Sequence, residues 1–170
     1  MCQIGSHTLP LGPTPDALAD VLDANPDSCA VWVTEPSYLG TVADVAALAA
    51  VAHAHGVPLG VDQAWGAHLG FHPALPPHAL AVGADAMVVS AHKALPSYSQ
   101  AALLLAKTDL LSAHRLDVAF DSTHTTSPAG AILASIDGAR HRLATVGTAL
   151  LDGLLGELSA ERSRLRRACP

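Results

Sequence analysis

The feature that most constrains this chain is a short β-rich apolar run, then a helical repeat, then a second such run. Cys29-Ala30-Val31-Trp32-Val33-Thr34 is closed by Pro36 and holds no alternating polar positions, so it reads as a strand buried on both faces. From Thr41 to His55 the apolar residues Val42, Val45, Ala46, Leu48, Ala49, Val51 and Ala52 recur at helical spacing, with Asp44 in the first turn and Gly56 as a stop. Val57–Asp62 follows as a second strand, Pro77–Val82 as a short helix, Asp85–Ser90 as a third strand and Gln100–Ala106 as a further one. Strand, helix and strand in alternation predict βαβ units and hence a parallel sheet with right-handed crossovers. Outside this stretch, helices are expected over Asp16–Ala24, Thr108–Leu116 and Ser127–Leu158, and no strand is expected ahead of Ser28.

Composition narrows the function classes. The 170 residues amount to about one domain, half of them are apolar and 14% are charged, which excludes a mainly disordered chain. No uninterrupted apolar run approaches the roughly 18 to 20 residues that cross a bilayer, and the first residues lack a basic region followed by an apolar one, so a cytoplasmic protein without a membrane partner is expected. The net charge is −6, and four of the nine bases are Arg162, Arg164, Arg166 and Arg167. Residues 1–160 therefore carry a net −9, which argues against a nucleic-acid surface, because phosphate neutralisation needs clustered Lys and Arg. The Arg-rich end reads as a solvated helix end. Cys2, Cys29 and Cys169 are odd in number and far apart, so reduced thiols are expected, with Cys29 in the core.

In open α/β sheets, ligands collect at the carboxyl ends of the strands. Three polar clusters fall there: Thr34-Glu35-Pro36-Ser37-Tyr38, Asp62-Gln63-Ala64-Trp65-Gly66-Ala67-His68, and Ser90-Ala91-His92-Lys93. The chain has only two lysines, Lys93 and Lys107, and no glycine-rich phosphate loop of the G-x-G-x-x-G or G-x-x-x-x-G-K type. A carboxylate and a lysine at the tips of neighbouring strands are what pyridoxal phosphate chemistry requires. The carboxylate keeps a pyridine nitrogen protonated, the amine forms a Schiff base, and the Ser90 hydroxyl is suited to a phosphate. Simpler readings stand beside these: Asp62 as a turn cap, Trp65 as core filler, and Tyr38 as the closure of a turn. No metal site is expected. His53 and His55 are two apart and do not share a helical face, while Gly70 and Pro73 interrupt any helix carrying His68 and His72.

At these residues the chain resembles a known family. Asp62-Gln63-Ala64-Trp65-Gly66-Ala67-His68-Leu69-Gly70-Phe71-His72-Pro73 and Ser90-Ala91-His92-Lys93-Ala94-Leu95 are similar to the cofactor-attachment region of the ornithine/lysine/arginine decarboxylases, enzymes of the aspartate aminotransferase fold (fold type I). Pro36-Ser37-Tyr38-Leu39-Gly40 with Asp44 resembles the family's Pro-Thr-Tyr-Tyr-Gly turn and helix start. Thr125-Thr126-Ser127-Pro128 with Ser135-Ile136-Asp137 and Arg140 resembles a later stretch, so the likeness runs from about Pro13 to Leu150.

The resemblance implies an α/β fold, three-layered with a mainly parallel sheet, forming an incomplete PLP-dependent transferase major domain over residues 1–155. Residues 156–170 are then an Arg-rich tail leading toward a smaller C-terminal domain. The resemblance also implies Lys93 as the internal-aldimine lysine, Asp62 as partner of the pyridine nitrogen and Ala64 as the small residue against the ring. Ser90 and His92 orient phosphate and lysine, and Lys93 or His92 returns a proton after decarboxylation of a basic amino acid. Trp65 and Tyr38 fall to the substrate side, and Thr126 and Ser127 to a subunit interface of a homodimer or higher oligomer. Upstream, such enzymes carry a phosphate-binding loop and a ring-stacking histidine that are not found here. Two alternatives keep the same residues: another fold type I reaction, such as transamination or aldol cleavage, or a non-catalytic remnant that associates with a full-length partner.

Overall fold

The computed structural model describes residues 2–4, 7–9, 11–107, 110–124, 127 and 129–168. The chain opens with two three-residue strands, β1 (Cys2–Ile4) and β2 (His7–Leu9), paired antiparallel where no strand was expected. Helix α1 (Pro15–Ala24) starts because Thr14 accepts a hydrogen bond from Ala17 N at 3.3 Å and Pro15 fits the first helical position. Helix α2 (Val45–Ala54) is capped in the same way by Asp44, whose Oδ1 accepts from Ala47 N at 3.0 Å. The strands β3 (Val31–Thr34), β4 (Leu59–Asp62), β5 (Ala86–Ser90) and β6 (Ala102–Ala106) form one sheet in that order.

The β3–β4 and β4–β5 pairs are parallel, and β6 returns antiparallel along β5. The α/β class and mainly parallel sheet are thus as expected. The core joins Leu18 and Leu22 of α1, Leu48, Ala49 and Ala52 of α2, and the strand residues Val31, Leu59, Val61, Met87 and Val89. Leu48, Leu59 and Val61 are wholly buried. The described residues supply the sheet and the helical layer on this one face. Trp32 and Leu104, which alternation points to the other face, are exposed.

Some boundaries move for identifiable reasons. The first strand begins at Val31 rather than Cys29, and Cys29 is exposed rather than in the core. The helix expected over 108–116 is α4 (Ala113–Thr123), set by Ser112, whose hydroxyl accepts from Arg115 N at 3.4 Å. The 39-residue α5 (Gly130–Ala168) continues through the Arg-rich end, where Arg164 pairs with Glu161. By length and composition α5 is apolar enough to cross a bilayer. In this fold it docks on the body through Ala139, Gly147 and Leu151 and through Asp152, which accepts from His72 Nε2 at 2.9 Å. Between α5 and the sheet, Ile136 and Leu143 face Met87, Val89 and Leu103 across an apolar cavity of about 320 Å³.

Asp85, 5% exposed, stands where α2, β4 and β5 meet. Its Oδ2 accepts from Leu59 N at 2.8 Å and from His53 Nε2 at 2.8 Å, while its own N–H donates to Leu59 O at 2.8 Å. Removing the carboxylate strands a buried N–H, whereas removing the exposed histidine leaves the carboxylate its other partner. Asp85→Ala is therefore expected to cost about 1–3 kcal/mol in urea unfolding, and His53→Ala less than about 1 kcal/mol. Equal losses would show that the carboxylate does not hold the β4 backbone.

Candidate active site

Parallel pairing brings the expected residues to one edge. Thr34 lies opposite Asp62, and Asp62 opposite Val88, so β3, β4 and β5 deliver their carboxyl ends together. The pairing continues past the strands: Glu35 N donates to Asp62 O at 2.9 Å and Gln63 N to Val88 O at 2.8 Å. Asp62 is half-buried, and its Oδ1 accepts from Ala64 N at 3.0 Å, which closes the turn leading to Trp65. The turn-cap reading of Asp62 holds without excluding the other: one oxygen caps, and the second has no partner among the described residues. Gln63 is 1% exposed, with its side-chain carbonyl accepting from Ala79 N at 3.2 Å. Ala64 is buried and Trp65 is 47% exposed, so Trp65 is not core filler.

On the neighbouring strand, buried Ser90 ends β5, and the single turn α3 (Ala91–Ala94) carries His92 and Lys93. The backbone N–H of His92 donates to Ala101 O at 3.2 Å, and Nδ1 lies 3.0 Å from the same carbonyl. A carbonyl only accepts, so Nδ1 carries the proton and Nε2 of the neutral ring is left as an acceptor. Lys93 is exposed, and its Nζ sits 4.6 Å from the centroid of the Trp65 ring. Among the described residues no carboxylate pairs with it.

Other expected residues are placed less centrally. Tyr38 is 74% exposed in the turn after β3, which is held by Ser37 Oγ and Thr41 Oγ1 at 2.6 Å; its hydroxyl has no partner among the described residues. Thr126 lies outside the described residues, and Ser127 is exposed ahead of α5. The paired histidines are not brought together on one ligand: His53 meets Asp85, His55 meets Asp23 at 3.0 Å, and His72 meets Asp152.

Two residues of the strand-end clusters carry properties that the sequence reading did not assign them. Burial pushes the imidazole of His68 below its usual range. Glu35, 2% exposed, accepts from Ala43 N at 2.8 Å through Oε2, while Oε1 is buried without a partner. The available signal was its place between Thr34 and Pro36, at a strand end.

Burial raises the Glu35 carboxyl above its ordinary 4.5, against the opposing pull of the Ala43 N–H. The folded chain thus holds a proton that the unfolded chain has released, and Glu35 costs stability as pH rises from about 4.5 through the raised value. Glu35→Gln removes the charge, so its thermal stability relative to the parent chain should grow between pH 4.5 and 7.5. A difference independent of pH would show that the carboxyl is not strained by burial.

Comparison with known proteins bears on this edge. The family described as Orn/Lys/Arg decarboxylase, major domain, matches residues 4–169. An arginine decarboxylase of Halalkalibacterium halodurans is 39% identical over 82% of this chain and 28% of its own length. One of Bacillus subtilis is 36% identical over 92% of this chain and 32% of its own, so the chain spans about a third of such relatives. Among solved structures, apo CalE6, a methionine gamma lyase from Micromonospora echinospora, is 27% identical with a TM-score of 0.59 over 76% of this chain and 34% of that one. These matches extend well beyond the strand-end motifs, and on them the chain belongs to the Orn/Lys/Arg decarboxylase family, whose major domain it shares.

Proposed function

We propose that this chain is the cofactor-attachment part of a decarboxylase acting on a basic amino acid of the arginine, ornithine or lysine class, with Lys93 as the attachment amine. The observation that carries this reading is Asp62 and Lys93 at the carboxyl ends of adjacent parallel strands β4 and β5. The chemistry of the donor set fits pyridoxal 5'-phosphate: a half-buried carboxylate with an oxygen to spare, an exposed amine that no described carboxylate pairs with, and the Ser90 hydroxyl at the same edge. Solved structures of PLP enzymes share the fold, among them SPT with PLP at 22% identity and a TM-score of 0.58. When bound, the cofactor supplies an electron sink for the pair released as the substrate carboxylate leaves as carbon dioxide.

The rest falls to the chain's own residues. Asp62 holds a proton on the pyridine nitrogen, an interaction between charged partners in a partly desolvated place. Ala64 offers a small buried surface, and Ser90 and His92 orient the phosphate end and the lysine turn. Lys93 is the proton donor closest to hand once its amine is free, with His92 Nε2 as the alternative carrier. Trp65 and Tyr38 line the substrate side. The active assembly is a homodimer or higher oligomer to which the region around Thr126 and Ser127 contributes, and residues 156–170 lead toward a smaller domain.

The test is a visible absorption spectrum with added pyridoxal phosphate, followed by borohydride reduction and peptide mapping. Label confined to Lys93 and absent in Lys93→Ala supports the reading; label spread evenly over Lys93 and Lys107 overturns it. Asp62→Asn is expected to weaken cofactor capture about 10- to 100-fold, the loss of one charge-assisted hydrogen bond. Release of carbon dioxide and an amine, rather than a keto acid, separates decarboxylation from transamination.

A further inference from the structure

We propose that Trp65 is a positioning residue for Lys93, its indole face holding the amine at the sheet edge until an aldehyde arrives. The inference deepens the reading of Lys93 as the attachment amine. The four-carbon stem of a lysine on a one-turn helix is free to sweep a wide arc, and no described carboxylate restrains this one. The Trp65 ring, with Lys93 Nζ 4.6 Å from its centroid, lies within the range at which a cation is drawn to an aromatic face.

The backbone that carries Trp65 is closely held on both sides. On one side it follows Gln63, wholly buried and bonded to Ala79 N and Val88 O, and Ala64, bonded to Asp62. On the other, Gly66 N donates to Gln63 O at 2.9 Å, and a Cβ on Gly66 would come within 2.9 Å of Leu69, Pro36 and Gln63. A backbone packed that closely anchors the Cα from which the half-exposed ring projects, whereas the lysine swings on a four-carbon stem from a one-turn helix. A carboxylate in place of the ring would hold the ammonium more tightly and keep its proton on. The aromatic face holds the ammonium loosely, so the amine leaves the ring once it has given its proton to solvent, and its freed lone pair then forms the bond to the aldehyde carbon. The turn that places the Asp62 carboxylate thereby also sets where the amine waits.

The pair is tested without the cofactor, by brief reductive methylation with ¹³C-formaldehyde and read-out of Lys93 against Lys107 as the internal reference. Dimethylation keeps the positive charge, so the labelled amine still reports the ring. In Trp65→Leu the Lys93-to-Lys107 labelling ratio is expected to rise about two- to five-fold, the range of an exposed cation–aromatic contact. The Lys93 methyl signals should at the same time lose the upfield displacement that an aromatic face imposes. Trp65→Phe, which keeps a ring, should stay closer to the parent than to Trp65→Leu on both measures. An unchanged ratio with undisplaced methyl signals in the parent chain, or a Phe variant that matches the Leu variant, overturns the proposal. Failure of pyridoxal phosphate to attach to Lys93 would overturn the proposed function while leaving this comparison intact, so the two are separable.

Discussion

Everything at the candidate site depends on the register between β4 and β5. Side chains on a strand alternate between faces, so a slip of one residue would turn Asp62 toward the helices and put Gln63 in its place. The buried Asp85 carboxylate guards against this, because it grips Leu59 N at the start of β4 while its own backbone belongs to the entry of β5. The control lies at the opposite end of the strands from the chemistry. A polar contact at the amino ends thus decides which residue appears at the carboxyl ends.

The same edge shows how one residue serves structure and function together. Asp62 spends one oxygen on the turn and keeps the other. His92 spends its backbone N–H and Nδ1 on Ala101 and keeps Nε2. Gln63 is given over to packing, tying the site to the short 3-10 turn Ala79–Val82. For Asp62 and His92 the bonded atoms are satisfied by backbone, which orients the side chain and leaves a defined atom free, whereas Gln63 keeps its Nε2 buried without a partner among the described residues. Preorganisation here is a division of lone pairs and protons within single residues.

Much of this was legible beforehand. Parallel strands are continuous apolar runs, and β3, β4 and β5 fall inside the runs expected for them, although β3, expected to be buried on both faces, leaves Trp32 and Thr34 exposed. Asp62, Ser90 and Lys93 were expected at strand ends and lie there, because strand ends can be located even when exact boundaries cannot. Other features depend on partners remote in sequence. Glu35 is buried beside a cavity that it lines with Val42–Ala46 and Leu69 and is bonded by Ala43 N, and His72 reaches an aspartate 80 residues away. The Trp65–Lys93 contact crosses from one strand end to the next, a juxtaposition that no local spacing signals. Ser112 was missed for the opposite reason: the cap was visible, but Leu110 and Leu111 drew the expected helix too early.

The antiparallel return of β6 has a kinetic meaning. A parallel neighbour would need a crossover of about a dozen residues or more, free to open as a unit. Here Lys93 sits inside a hairpin whose two arms, Ala86–Ser90 and Ala102–Ala106, are laddered along their whole length, with His92 clasping Ala101 across the neck. Displacing the lysine segment as a whole then means unzipping two strands, so its large excursions, unlike local fluctuations of residues 91–101, are tied to subglobal unfolding of the sheet. The Lys93 amine therefore meets solvent freely while the backbone that carries it stays tied at both ends to the sheet.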